Sequence, residues 1–466
     1  MSTNLTSANL LDRTLFNLQS VWQQINILKS DNVKLGPDLP DADIEPLRKH
    51  MHSCLEGKGG NVSARARAAK LGEAYLCLND TGRLRFLKLL AEDFGVDNTI
   101  IKALAEQIIH PPEGTNIPKL HQQMRNALRP PGLELLMQFN SLPSGVKFLV
   151  DLRADMLRLA DKNDPELREL DKSLKDLLRS WFDVGFLDLV RLSWSTPADV
   201  LEKLIHYEAV HAIRSWDDLK NRLQSDRRCF AFFHPRMPDE PLIFVQVALV
   251  KDLSGNIQEL LDESAPLMNH QEANTAIFYS ITNAQLGLAG VGFGDFLIKR
   301  VVADLKDELP NIKTFSTLSP IPGFMRWLDQ LSDADLLTDK ERQALNKLNL
   351  EAFGGVRETL KRSDWHQDEV LAEAIKKPMM RLGAQYLVHE KKRGRALDPV
   401  ANFHLNNGAR VERINWLADI SEKGMRESAG MMVNYLYKLD EIESNHELYR
   451  ETAVAKASGV VMNAMK

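Results

Sequence analysis

Near residue 185 the spacing of apolar residues changes from a helical repeat to short strand-like runs, and this change limits the fold more than any other feature. Leu11, Leu15, Leu18, Trp22 and Ile25 fall at steps of four and three, one face of an amphipathic helix. Similar patterns run from Ser63 to Phe94 with a break at Asn79 to Gly82, from Ile117 to Leu128, from Leu133 to Leu159 with a break near Pro143, and from Pro165 to Trp181. Nothing in residues 1–180 alternates with period two for long. Beyond Trp181, Arg228–His234 and Leu242–Val250 are rich in aromatic and β-branched residues, and a proline-rich turn, His234–Pro241, joins them as two strands. Thr275–Ile281 and Ile312–Leu318 read as two more, with a helix between them whose stripe is Ile298, Val301, Val302, Leu305 and Leu309. Strand, helix and strand in that order make a βαβ unit. The expected class is α+β: an all-helical bundle domain over 1–185, then a mixed α/β domain over 186–466. Asp329–Met379 reads as a helical insertion, broken at Gly354-Gly355, that caps the sheet.

A chain of 466 residues is too long for one ordinary core, in keeping with two domains. With 44% hydrophobic and 26% charged residues it has the balance of a soluble globular protein. A net charge of −5 and a pI near 6.2 give no global attraction to nucleic acid or anionic lipid. No segment approaches the ~18 consecutive apolar residues of a membrane helix. Arg13 and Lys29 are the only basic residues of the first thirty, with no apolar run behind a basic start. Neither a secretory signal nor an Arg-rich presequence is expected, and the expected location is the cytoplasm. Cys54, Cys77 and Cys229 lack CxxC spacing, so neither a disulfide framework nor a zinc site is expected.

Three stretches use residue types that packing alone does not need. FSTLSPIPGF (315–324) holds Ser319 before two prolines, Pro320 and Pro322, which fix the backbone in an extended shape and let a hydroxyl be aimed. NFHLNNG (402–408) sets His404 among turn-forming residues, a context that favours a loop or a strand end. RINWLAD (413–419) adds Arg413, Asn415 and Asp419. A fourth stretch, Gln285 to Asp295, puts four glycines between a strand and a helix. Such a turn is either an ordinary tight turn or a cradle for a pyrophosphate at a helix N-terminus. A dinucleotide site of the Rossmann kind would need an acidic residue in Asn311–Ser319, and there is none. A Walker lysine is also missing.

FSTLSPIPGF, NFHLNNGA, RINWLAD and MVNYLY (432–437) together resemble the malonyl-CoA decarboxylase family, in the family's order. The similarity extends over Ala64–Val96, Phe182–Val200 and Thr275–Trp327, so it covers both halves. The resemblance implies a catalytic domain like the acetyltransferase fold of the GNAT type, with malonyl-CoA converted to acetyl-CoA and CO₂. It implies Ser319 and His404 as the catalytic pair, with Tyr437 and Ser280 in support. It places the coenzyme A pyrophosphate at Ala289, Gly290, Val291, Gly292, Phe293, Gly294 and Asp295. No metal, pyridoxal phosphate, biotin or nicotinamide is implied, and a tetramer is.

The chemistry asks for these residue types. Loss of CO₂ leaves electron density that spreads onto the thioester oxygen, which needs donors already in place, and the carbon then needs a proton. In the implied roles Ser319 engages the substrate carboxylate or accepts a proton, and His404 donates one. A serine nucleophile is the competing mechanism and would release free coenzyme A. Two departures matter. Relatives carry a glutamate where this chain has Gly292, leaving Asp295 as a substitute, and some animal relatives carry a cysteine where this chain has Ala198. The basic run Lys391–Arg395 is either a solvated face or a contact for phosphates. Rival functions are an acyl-CoA N-acetyltransferase, which needs an amine site with a base, and a malonyl-CoA-binding protein without catalysis.

Overall fold

The computed structural model describes residue 22 and residues 35–56, 60–292, 294–346, 355–362 and 364–466. Its contacts divide into two compact units. One comprises residues up to Leu187 together with Phe233–Pro241 and Gln285–Gly292; the other comprises Asp188–Phe232, Leu242–Ala284 and Phe293–Lys466. The strand-connecting turn at 233–241 and the glycine-rich turn therefore group with the helices and not with the strands that they join.

The first unit is built from helices whose ends are written in the sequence. Asn79 accepts a hydrogen bond from Gly82 N at the start of the helix Asp80–Asp93, which explains the break seen there. Asp164 caps the helix Pro165–Trp181, with Pro165 at its first position, and Leu167, Leu170, Leu174 and Leu178 form its buried stripe. The pattern from Leu133 to Leu159 is two helices, Pro131–Gln138 and Gly145–Leu159, separated by a short 3₁₀ turn at Phe139–Ser141. The helix expected over Leu11 to Ile25 lies outside the described residues except for Trp22, which is helical and fully buried, with Nε1 donating to Pro143 O at 2.9 Å. Among the described residues no strand precedes Asp188.

The second unit is organised by a mixed sheet of eight strands. They are β1 (Asp188–Leu192), β2 (Arg227–Phe233), β3 (Ile243–Val250), β4 (Thr275–Asn283), β5 (Thr314–Thr317), β6 (Ser319–Pro320), β9 (Arg410–Asn415) and β10 (Met432–Tyr437); β7 (Lys391–Lys392) and β8 (Arg395–Ala396) form a separate hairpin. β2 to β4 are successively antiparallel, and β2 and β3 are buried almost throughout, as their unbroken apolar runs require. β4 and β5 run parallel, with Phe278 opposite Thr317, and the helix Gly294–Glu308 connects them, completing the βαβ unit. β5 and β6 are one interrupted strand. Both pair with β10, Ser316 opposite Leu436 and Ser319 opposite Val433, while β9 occupies the other edge of β10. The last hydrogen bond between β4 and this strand is Leu318 N to Phe278 O, at 3.0 Å.

Between Asp329 and Met379 the described residues are mostly helical, in Asp333–Leu336, Asp339–Asn346 and Gly355–Lys361, while 347–354 and 363 lie outside them. The expected end at residue 379 falls inside a longer helix, Glu369–Val388. Pro378 does not end it, because buried Leu371, Ile375, Met379 and Leu382 keep one face in the core on both sides of the proline.

Candidate active site

Ser319 is the first residue of β6, buried and held in the sheet by the register of Ser319 with Val433. His404 is found in the last turn of a helix, Pro399–Asn406, and not in the loop or strand end that its neighbours suggested. Asp398 accepts a hydrogen bond from Ala401 N at 2.8 Å as its N-cap, Pro399 fills the first helical position, and Gly408 at φ +80° lies just past the end. The asparagines and glycine thus mark where a helix stops. Tyr437 closes β10, buried on the same face of that strand as Tyr435.

These elements bring three side chains into one chain of contacts. Ser319 Oγ lies 3.2 Å from His404 Nε2, and His404 Nδ1 lies 2.7 Å from the Tyr437 hydroxyl. Ser319 Oγ also donates to Thr317 Oγ1 at 2.8 Å, and Thr317 Oγ1 accepts from Tyr435 N at 3.1 Å. The imidazole stacks on the Tyr435 ring, with centroids 4.5 Å apart and planes 25° from parallel. Burial drives the His404 pKa down to about 3, so the ring is neutral, and burial raises the Tyr437 phenol above its ordinary value, so it keeps its proton.

A count of hydrogens assigns the tautomer. Ser319 has one hydroxyl hydrogen and directs it at Thr317, so toward His404 its oxygen can only accept. Nε2 therefore carries the imidazole proton. Nδ1 is the bare nitrogen, and it accepts from Tyr437, whose hydroxyl has no other partner among the described residues. The chain runs in one direction, from Tyr437 through His404 and Ser319 to Thr317.

Ser280 stands elsewhere. Its Oγ contacts both carboxylate oxygens of Glu208, at 2.9 and 2.8 Å, and Thr282 Oγ1 at 3.2 Å, with no contact to Ser319 or His404. Glu208 also accepts from Val210 N, His211 N, Thr282 Oγ1 and Gln246 Nε2, which compensates its burial. The glycine turn divides into two parts. A Cβ on Gly287 would lie 1.8 Å from Val150 O, and Arg153 Nη1 donates to Gly287 O at 2.6 Å and to Ala289 O at 2.9 Å. Arg179 reaches Gly290 O at 3.2 Å, Gly290 has φ +75°, and Val291 is buried. That part is packed against helices. Gly292 is exposed, with nothing within 4 Å of where its Cβ would be. Phe293 lies outside the described residues. Gly294 and Asp295 open the helix, and the Asp295 side chain is not described.

Asn402, Arg413, Asn415 and Asp419 are tied into the fold by bonds to Tyr449, Asn434 and Gln258. Lys391 to Arg395 form the β7–β8 hairpin, with Lys391 Nζ 5.8 Å from the Tyr449 ring centre. Sequence reasoning passed over Thr317, Asp398 and Tyr435. The alternation of Tyr435 with Tyr437 on one strand face and the Asp-Pro pair ahead of an apolar run were the signals that could have found the last two.

The chain matches the family description of the malonyl-CoA decarboxylase C-terminal domain over residues 185–466 and that of the N-terminal domain over 94–182. It is 41% identical to the mitochondrial malonyl-CoA decarboxylase of Anser anser anser over 422 residues, covering 86% of this chain and 83% of that one. It is 40% identical to the enzyme of that name from Rattus norvegicus, covering 82% and 81%. The crystal structure of malonyl-CoA decarboxylase from Rhodopseudomonas palustris superposes with a TM-score of 0.81 at 42% identity, over 90% of this chain and 99% of that one. The corresponding structure from Agrobacterium vitis gives 0.81 at 38%, over 90% and 100%. With both halves matched, and with similarity at this level over more than four fifths of the chain, the protein belongs to the malonyl-CoA decarboxylase family.

Proposed function

We propose that this carboxy-lyase decarboxylates malonyl-CoA through Ser319 and a neutral His404, with Tyr437 holding the imidazole in its reactive tautomer. The observation that carries the reading is the direction of the hydrogen-bond chain: Nε2–H of His404 faces Ser319 Oγ and Tyr437 occupies Nδ1. Breaking the C–C bond of the malonyl group releases CO₂ and leaves the bonding pair on C2, shared with the thioester oxygen as an enolate. Ser319 engages the substrate by turning its hydroxyl from Thr317, and Nε2–H of His404 supplies the proton that C2 takes up. Tyr437 keeps its hydrogen and goes on donating to Nδ1, and a solvent proton replaces the one that Nε2 gives up. The thioester bond is untouched, so the products are acetyl-CoA and CO₂.

A nucleophilic serine would need Nε2 as a base accepting the Ser319 hydrogen, and that hydrogen is directed at Thr317. The same reading asks for no metal or organic cofactor, and turnover that survives exhaustive chelation supports this. A tetramer and a cytoplasmic location also belong to it, tested by sedimentation and by cell fractionation; among the described residues no helix is long and apolar enough to cross a membrane. The deciding experiment follows malonyl-CoA in deuterated water with the parent, Ser319→Ala and His404→Ala. The parent should give acetyl-CoA carrying one solvent deuterium and no free coenzyme A, with kcat lower by ~10²-fold or more in both variants. Release of free coenzyme A would sink the mechanism.

A further inference from the structure

Between the two parts of the Ser319 strand the regular ladder gives way to side chains. β10 is paired on either side of the interruption, Leu436 with Ser316 and Val433 with Ser319. At the interruption Tyr435 N donates to the Thr317 hydroxyl at 3.1 Å and Tyr435 O accepts from Ser316 Oγ at 3.0 Å. The Thr317 carbonyl accepts from Asn434 Nδ2 at 2.7 Å. Buried backbone groups need partners, and here side chains supply them.

Asn434 is fully buried, and its amide makes the four hydrogen bonds that its two ends allow. Nδ2 donates to Thr317 O at 2.7 Å and to Ser254 O at 3.0 Å, while Oδ1 accepts from Arg413 Nε at 3.1 Å and from Asn415 Nδ2 at 2.9 Å. The orientation is forced, because a guanidinium only donates and a carbonyl only accepts. Arg413 stands opposite Asn434 in the register of β9 with β10, which shifts at the next residue, and its Nη2 donates to Leu253 O at 2.8 Å. One amide thereby ties FSTLSPIPGF, RINWLAD and MVNYLY to each other and to the turn at 253–254. Thr317 is held at two points by adjacent residues of β10, its carbonyl by the Asn434 side chain and its hydroxyl by Tyr435 N. The hydroxyl oxygen so held is the one that takes the Ser319 hydrogen.

We propose that Asn434 is a positioning residue of the reaction: by holding the Thr317 carbonyl it keeps the Thr317 hydroxyl oxygen where it receives the Ser319 hydrogen, and so keeps Nε2–H of His404 turned toward Ser319. The proposal rests on the roles given to Ser319 and His404 above. Asn434 has no hydrogen bond to either of them among the described residues, and it acts through Thr317.

The test is a cycle of variants on malonyl-CoA. Asn434→Asp keeps the size and the acceptor for Arg413 and Asn415, and replaces the donor facing two carbonyls by an oxygen that repels them. Its kcat should fall about tenfold with KM little changed. In a Ser319→Ala background the same substitution should cost less than about twofold, since no Ser319 hydrogen is left to direct. Equal losses in the two backgrounds would mark a general structural role and overturn the proposal, as would parental activity in the single variant. Asn415→Ala leaves β10 unchanged and removes one of the two donors that orient the amide, so it carries the test where Asn434→Asp does not fold. It should lower kcat about threefold in the parent and leave Ser319→Ala unaffected, and no loss, or an equal loss in both, overturns the proposal. The ¹⁵N resonances of His404 give a reading that does not depend on turnover. In the parent Nε2 should carry the hydrogen, in either variant the two nitrogens should share it, and an unchanged pattern would refute the proposal. A parent that leaves malonyl-CoA unchanged while the variants still move that hydrogen would reject decarboxylation and leave the positioning in place.

Discussion

Tyr437 hydroxyl and His404 Nδ1 sit 2.7 Å apart, and with the Ser319 hydroxyl directed at Thr317 this contact makes Nδ1 the acceptor of the phenol hydrogen. Tyr437→Phe removes the donor and leaves Nδ1 buried without a partner. We expect kcat to fall roughly 10- to 100-fold with KM little changed, since the contact serves the proton and not the binding of substrate. Steady-state kinetics beside a thermal melt check it. A variant as active as the parent would remove Tyr437 from the mechanism.

Thr317 takes the Ser319 hydrogen and also receives Tyr435 N, so it joins the site to β10. Thr317→Val keeps the shape and deletes the acceptor. Ser319 is then free to direct its hydrogen at Nε2, and the Nε2–H tautomer loses its advantage. A fall in kcat of about tenfold is expected, read by the same assay.

The His404 imidazole, lowered to about 3 by burial, binds no proton in the folded protein at pH 5, whereas the unfolded chain begins to bind one near pH 6.5. The unfolded state therefore holds more protons below about pH 6.5, and stability falls as the pH is lowered. Asp398, pushed up to about 6 by burial, contributes with the opposite sign between about pH 4 and 6. His404→Gln isolates the imidazole share. Between pH 7.5 and 5.0 it should lose about 2 kcal/mol less stability than the parent, measured by urea unfolding. Equal losses would mean that His404 is not held neutral.

The glycine turn offers a contrast within six residues. Gly287→Ala would drive a methyl into the Val150 carbonyl and should cost about 2 kcal/mol or more, with a lower midpoint in thermal unfolding. Gly292→Glu, the residue type that the family resemblance implies at this position, has open space and should shift stability by less than about 0.5 kcal/mol. The kinetics of that variant then show what the carboxylate does to turnover, free of any folding effect.

The helices and most strands were legible because each element announces itself locally, by a leucine stripe behind Asp164-Pro165 or by the apolar runs of β2 and β3. The pairing of Ser319 with His404 was legible only through the resemblance, since 85 residues separate them and no local rule joins a strand end to a helix end. The secondary structure around His404 was misread because asparagine and glycine mark a helix C-terminus as readily as a loop. Ser280 was grouped with the reactive pair, yet its hydroxyl faces Glu208, at a place where β4 carries an irregularity between its pairings with Gln246 and Val247. A β-bulge redirects side chains, and nothing in the string FYSI reports one.

The strand β10 carries Tyr437 and at the same time sets Ser319 through the pairing with Val433. A slip of one residue in that pairing would turn Tyr435 and Tyr437 to the opposite face of the sheet and shift Ser319 away from the imidazole. Catalysis in this fold thus behaves as an all-or-none reporter of strand alignment: a misassembled molecule is silent, not slow, and the active fraction of a refolded sample counts the molecules whose sheet has closed in register.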